Sequence, residues 1–202
     1  MCQHGDERTY VRGQPIFSRG APAATVLLLT SGRVEVGLAN QDGDYRLVAL
    51  RGAGDVIGEM ASDAGRTRTA DVVALDECAA VEVRADTFER LLARDGTDRQ
   101  IRAYVTAKLL HSCQHMVDMS ALPPLRRIAQ LLLQLAELAD PGKDCSLIPV
   151  SQTKIGQLLG LSRSRVSLLV NRLCDEGVLR TKPALTIERF DRLRQHAHPK
   201  AG

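Results

Sequence analysis

The chain has 202 residues, 44% of them hydrophobic, and 27 basic against 24 acidic side chains for a net charge of +3. That content supports well-filled cores, and the length suits one large domain or two of about 100 residues each. It excludes a low-complexity or disordered chain, and no apolar run reaches the ~20 residues a membrane helix needs. The five cysteines (Cys2, Cys78, Cys113, Cys145 and Cys174) are scattered and odd in number, without a Cys-x-x-Cys pair. Neither a disulfide framework nor a four-cysteine zinc site is expected from them. With no stretch resembling a signal peptide, the expectation is a soluble, cytoplasmic protein with reduced thiols and no membrane partner.

Up to about residue 83 the sequence reads as short strands separated by glycine turns. Ile16-Phe17 and residues 26–29, 33–38, 45–50 and 72–75 are β-rich or alternating. Between them stand Gly20, Ser31-Gly32, Asp42-Gly43 and Gly52-Ala53-Gly54, of which Asp42-Gly43 is a hairpin signal. Short strands at near-regular spacing predict a small barrel or sandwich. The period then changes. Residues 86–93 predict a short helix with Phe88, Leu91 and Leu92 on its apolar face. Residues 98–119 run without Gly or Pro and place Ile101, Val105, Leu109, Met116 and Met119 in a thin stripe, widened by Leu110. Such a stripe resembles a coiled-coil seam. A helix of about 33 Å has no partner within so short a chain, so a second copy is expected beside it. Pro123-Pro124 stops that helix, and Pro124 suits the first turn of the next, over 125–139, with Ile128, Leu131, Leu132, Leu135 and Leu138 inward. The expected division is 1–97, 98–122 and 123–202.

The last third carries a helix-turn-helix pattern. Ser151 can cap a helix over 152–159 that turns Ile155, Leu158 and Leu159 inward, and Gly160-Leu161 supplies a tight turn with a buried leucine. Ser162 can cap a second helix with Val166, Leu169, Val170 and Leu173 at the 3.6-residue period and Cys174 beside them. It ends at Asp175-Glu176-Gly177. That helix turns Arg163, Ser164, Ser167, Leu168 and Asn171 outward, and an arginine in its first turn has the geometry to donate to guanine O6 and N7. Strand, turn and strand follow over 178–187, with Pro183 in the turn and Arg180 and Lys182 near the tip as expected phosphate contacts: a wing. From Ser162 to Arg194 eight basic residues face four acidic ones, so the basic excess lies where a phosphate backbone could use it. Double-stranded DNA is the expected partner. No nucleophile–base constellation or metal triad points to an enzyme.

Several segments, taken in order, carry a resemblance. They are Arg19-Gly20-Ala21-Pro22-Ala23, Leu29-Thr30-Ser31-Gly32-Arg33-Val34, Gly54-Asp55-Val56-Ile57-Gly58-Glu59-Met60, Arg68-Thr69-Ala70, Arg127-Ile128-Ala129-Gln130 and the helix-turn-helix. Together they resemble the CRP/FNR superfamily of bacterial regulators over nearly the whole chain. The resemblance implies an α+β protein: an N-terminal β jelly roll of the cyclic-nucleotide-binding type, a long dimerisation helix, and a C-terminal winged helix-turn-helix. It implies a homodimer on a pseudo-palindromic operator, and engagement of RNA polymerase if the protein activates. It also implies a cyclic nucleotide such as cAMP as effector. Glu59 would then accept from the ribose hydroxyl, and Arg68 and Thr69 would hold the phosphate with backbone donors near Ala70. Gly58 would let the phosphate approach, and Ser112, with Cys113 beside it, would meet the base. On the DNA side Arg163 matches the family's first reading arginine, but Ser164 stands where many members carry glutamate and Leu168 replaces a second arginine. Arg165 and Gln152 are expected on phosphates, beside Ser162 and Ser167. A leucine at 168 could meet a thymine methyl.

Other readings stay open at this stage. Glu59 and Arg68 could form a structural ion pair in a barrel that needs no nucleotide. The iron–sulfur branch requires an N-terminal cysteine cluster, where only Cys2 stands. His111 and His115 share a helix face, as a metal pair or as part of a polar seam, and haem or redox sensing is a further alternative. From another class, the chain could be a cyclic-nucleotide-binding subunit that regulates a different protein.

Overall fold

The computed structural model describes residues 5–39, 43, 45–61 and 66–198, so Cys2 and the Asp42 of the expected hairpin lie outside the described residues. Those residues form two compact units. One comprises residues up to Leu38 with Val48–Val117, the other Ala39–Leu47 with residues from Asp118 onward.

The first unit is built on eight strands: β1 (Asp6–Tyr10), β2 (Pro15–Phe17), β3 (Thr25–Ser31), β4 (Val34–Ala39), β5 (Tyr45–Arg51), β6 (Val56–Ile57), β7 (Asp71–Ala74) and β8 (Cys78–Arg84). They form two four-stranded sheets, ordered β1-β8-β3-β6 and β2-β7-β4-β5, which is the jelly-roll arrangement. Alternation drives the packing. Leu27 and Leu29 of β3, Val34 of β4, Ile57 of β6 and Val72 and Ala74 of β7 point into one shared core. Of the eight strands, β1, β6 and β8 carried no clear sequence signal. β1 reads Asp-Glu-Arg-Thr-Tyr with four exposed positions, and its backbone ladder to β8 holds it in place. β6 has only two residues. β8 mixes small, apolar and charged residues and lies between β1 and β3.

Two helices complete this part of the chain. Helix α1 (Ala85–Asp95) closes on Gly96, whose φ of 65° releases the last carbonyls into a left-handed cap. Helix α2 runs over Asp98–Ala121. The expected single stripe along α2 is divided in the structure. Ile101 packs on Val26, Val81, Val83 and Phe88, and Val105 is half-buried. Leu109, Leu110, Met116 and Val117 are exposed, as two pairs seven residues apart, whereas Met119 is buried. The apolar residues near the start of α2 are therefore used within the chain, and a shorter strip remains open.

The second unit contains α3 (Pro124–Glu137), α4 (Gln152–Leu159), α5 (Arg163–Asp175), β9 (Leu179–Arg180), β10 (Thr186–Ile187) and α6 (Phe190–Ala197). Pro124 opens α3, whose Ile128, Leu131, Leu132 and Leu135 are wholly buried. Helix α6 packs on α3, with Leu193 fully buried and Gln130 donating to the Ala197 carbonyl at 3.5 Å. Its spacing of Phe190, Leu193 and Ala197 is helical, although only its arginines drew notice in the sequence. The wing strands pair antiparallel, Thr186 opposite Arg180. Ile148 and Ile187 amides bond to Leu185 and Ser146 carbonyls, both at 2.9 Å, so the preceding segment joins β10 through an antiparallel bridge between Leu147 and Thr186.

Helix α4 starts on Ser151, whose hydroxyl accepts from the Lys154 amide, and α5 on Ser162, which accepts from Arg165. Gly160 takes φ 62° between them. Leu161 is half-buried rather than fully buried, because the close approach at this turn is made by its backbone. Its amide donates to the Gly156 carbonyl at 2.9 Å, and a Cβ on Gly156 would stand 2.7 Å from the Leu161 oxygen. Alanine at an ordinary helical position gains up to about 1 kcal/mol over glycine. Gly156→Ala should instead lose about 1–3 kcal/mol by overpacking, and thermal unfolding should show Tm falling rather than rising.

Candidate effector cavity and nucleic-acid interface

Within the first unit lies a cavity of about 320 Å³, walled by Val36, Leu38, Val48, Ala49 and Val72 of the sheets. The segments around Gly58–Ala61 and Arg68–Ala70 line it, and α2 contributes Lys108, Leu109 and Ser112. Gly58 has φ 88°, and a Cβ there would press on the Arg68 guanidinium and lie 2.9 Å from the Phe17 ring. Only glycine lets Arg68 lie against this backbone. Arg68 is 5% exposed, sits 3.5 Å above the Phe17 ring, and donates to the Thr25 carbonyl and hydroxyl at 2.8 and 3.2 Å and to the Gly58 carbonyl at 3.4 Å. Among the described residues no carboxylate pairs with it, and burial lowers its pKa.

The ion pair of the cavity joins other residues. Glu59, buried in a single 3₁₀ turn over Glu59–Ala61, meets Lys108 of α2, Oε1 to Nζ 2.6 Å. The structural pair contemplated between Glu59 and Arg68 is thus replaced by Glu59 and Lys108, because α2 brings an ammonium to the carboxylate. Lys108 also donates to the Val56 carbonyl at 2.6 Å, and burial lowers its pKa in spite of Glu59. One turn earlier on α2, the Tyr104 hydroxyl donates to Asp55 Oδ1 at 2.8 Å and accepts from the Val56 amide at 3.1 Å. Burial pushes that hydroxyl's pKa up to about 12. One turn later, the buried Ser112 hydroxyl accepts from Arg51 Nη2 at 3.3 Å. Residues 104, 108 and 112 share one helix face and tie three successive turns of α2 to the segment from Arg51 to Glu59.

Of the residues expected around an effector, Gly58, Glu59, Arg68, Thr69, Ala70 and Ser112 all line the cavity, whereas Cys113 is exposed and does not. Sequence reasoning missed Arg51 and Lys108. The signals were present: a charge directly after the apolar run at residues 47–50, and a lysine one turn before Ser112. Among the described residues the lining carries three cations, Arg51, Arg68 and Lys108, and one carboxylate, Glu59, between largely apolar walls. That combination suits an anion with a flat, apolar body. Among the described residues no group of three or more His, Cys, Asp or Glu gathers as a metal would require. Among the same residues no helix is long and apolar enough to cross a membrane.

In the second unit the outward face of α5 presents Arg163, Ser164, Arg165 and Leu168, the last 61% exposed. Ser162 is committed to the cap, and Ser164 Oγ lies 3.2 Å from Ser162 Oγ. Ser167 and Gln152 are half-buried. On the wing Lys182 is exposed, but Arg180 is engaged: it pairs with Glu188 at 2.6 Å and donates to the Lys182 carbonyl at 2.7 Å. Arg180 thereby braces the wing strands against each other.

Two family models match in tandem: the cyclic nucleotide-binding domain over residues 7–95 and the Crp-like helix-turn-helix domain over residues 126–196. A CRP-like cAMP-activated global transcriptional regulator of Mycobacterium tuberculosis is 25% identical over 193 residues, covering 93% of this chain and 86% of that protein. The cyclic AMP receptor protein of Thermus thermophilus is 28% identical over 183 residues, covering 90% and 82%. In fold, the structure of FixK2 from Bradyrhizobium japonicum superposes with a TM-score of 0.79 at 24% identity, covering 98% of this chain and 99% of that one. With both domain families matched on the jelly roll and the capped helix pair, the chain belongs to the CRP/FNR superfamily and is a DNA-binding transcriptional regulator with a cyclic nucleotide-binding domain.

Proposed function

We propose that this protein is a homodimeric, sequence-specific regulator whose cavity binds a cyclic nucleotide, and that occupancy of the cavity resets the long helix α2. The observation that carries this is the composition of the cavity: Arg68, with no carboxylate partner among the described residues, beside Gly58 and Thr69, together with Glu59 and a wall contributed by α2. A cyclic phosphate would take the Arg68 N–H groups and the Thr69 hydroxyl, with the Ala70 backbone near, and a ribose hydroxyl would compete with Lys108 for Glu59. Relatives described as cAMP-activated support a ligand of this class. Since Lys108 ties α2 to Glu59 and Val56, a ligand that shares Glu59 shifts the balance between helix positions, and it acts by favouring one of them.

The modules are read as 1–97 for the effector, 98–122 for dimerisation and 123–202 for DNA. The exposed Leu109, Leu110, Met116 and Val117, spaced by seven, supply the seam for a second copy. A two-fold dimer would then present two α5 helices to a pseudo-palindrome with half-sites ~34–36 Å apart. Arg163 reads a base, while Arg165, Gln152 and Lys182 hold phosphates and Leu168 offers an apolar contact. Such a regulator works in the cytoplasm, and as an activator it engages RNA polymerase. One observation favours a second reading: Glu59 already has Lys108 as its partner, which would let the barrel stand without a nucleotide.

Thermal unfolding separates the two. Cyclic nucleotide at 100 times its Kd stabilises the native state by about 2.7 kcal/mol, so cAMP or cGMP at millimolar concentration should raise Tm, and Arg68→Ala should abolish the rise. No rise with either nucleotide favours the second reading. For the dimer, Leu110→Glu should place an unpaired charge in the seam and yield monomers by sedimentation at micromolar concentration; a monomeric wild type defeats the idea. For DNA reading, Arg163→Ala should cost about 1–3 kcal/mol per half-site and relax one base pair in a binding-site selection. Lys182→Ala should weaken all sites alike and reduce the salt dependence. An unchanged motif in Arg163→Ala shows that Arg163 reads no base.

A further inference from the structure

The cavity is lined by a second buried guanidinium that has no carboxylate partner among the described residues. Arg51, at the end of β5, is 8% exposed, and its contacts among the described residues are the Leu50 carbonyl at 2.8 Å and the Ser112 hydroxyl at 3.3 Å. A guanidinium has five N–H donors, so most of its hydrogen-bonding capacity is unspent in the cavity it lines. The polar groups of the lining fall in a sequence. Arg68 lies by Gly58, then Glu59 by Lys108, then Arg51 by Ser112, with Lys108 and Ser112 separated by about 6 Å along α2. A mononucleotide with its phosphate at Arg68 and its ribose at Glu59 would place its base at Arg51. That end offers guanidinium donors, while the carboxylate of Glu59 is held by Lys108.

We infer that this cavity selects a cyclic mononucleotide with an oxopurine base, cyclic GMP over cyclic AMP, and that Arg51 is the residue that sets the preference. The inference rests on the proposed nucleotide-binding role of the cavity. Guanine presents two acceptors, N7 and O6, on the edge that a planar guanidinium fork matches, whereas adenine presents the N7 acceptor beside the N6 amino donor. With adenine in place, N7 can still accept, but the N6 amino group faces an Arg51 donor and that second bond is lost. A buried site built to bond a substrate atom discriminates strongly against an analogue that lacks it. Arg51 lies on a strand, and Ser112 on α2 steadies it, so the fork is held rather than recruited.

Calorimetric titration of the full-length protein with cGMP, cIMP and cAMP tests this. cIMP carries the same O6 and N7 edge as cGMP but lacks its 2-amino group. In wild type, cGMP and cIMP should both bind about tenfold or more tighter than cAMP. In Arg51→Ala, shown by its melting curve to be folded, the ratio between cGMP and cAMP should collapse towards one. If wild type binds cAMP as tightly as cGMP, the inference is wrong while the cyclic-nucleotide function stands. If cGMP alone is preferred and cIMP is not, or if the preference survives in folded Arg51→Ala, Arg51 is not the reader and the inference falls. If no cyclic nucleotide binds at all, the proposed function fails and takes this inference with it.

Discussion

Glu59 and Lys108 leave water together, their side chains 3% and 11% exposed, at an Nζ–Oε1 distance of 2.6 Å. Neither charge could be buried here alone at tolerable cost. Removing one partner of such a pair typically destabilises by about 3–5 kcal/mol, because the other is left uncompensated. The pair therefore fixes where α2 lies against the segment from Val56 to Glu59. Tyr104 on Asp55 and Ser112 under Arg51 follow from that placement, since they lie one turn to either side on the same helix face. The cavity has a wall because this contact holds it.

The other two cations of the lining are a consequence of a different kind. Arg68 is stabilised by the Phe17 face and by neutral oxygens of Thr25 and Gly58, and Arg51 by the Leu50 carbonyl and Ser112. Neutral acceptors satisfy N–H groups without cancelling charge, so the cavity keeps a positive potential between apolar walls. Gly58 is the backbone counterpart of this arrangement, since only a residue without Cβ lets the Arg68 guanidinium lie where it does.

The nucleic-acid side depends on short-range devices instead. Serine caps start both helices of the pair, Gly156 admits the Leu161 carbonyl, and Arg180 ties the two wing strands through Glu188. These contacts hold Arg163 and Lys182 at the ends of rigid elements while leaving their charged groups exposed. A reading helix must be positioned precisely enough to find base edges yet keep its donors unspent, and local bracing achieves both.

The helix pair was legible in the sequence almost to the residue because its determinants are local: a hydroxyl three residues before an amide, a glycine at positive φ, apolar residues at the 3.6-residue period. The same holds for the short strands β2, β3, β4, β5 and β7. What stayed hidden depended on distant partners. β1 exists because β8 offers it a ladder, β8 lies between β1 and β3, and α6 is a helix of eight residues whose burial comes from α3. In the cavity, the family resemblance placed Gly58, Glu59, Arg68, Thr69, Ala70 and Ser112 together, and all six line it. It did not show that Glu59 would be held by Lys108, 49 residues away, or that Arg51 would reach Ser112. An ionisable side chain has many partners of the right charge along a chain. Which one it meets is decided by the packing that removes both from water, and that packing exists only in the folded structure.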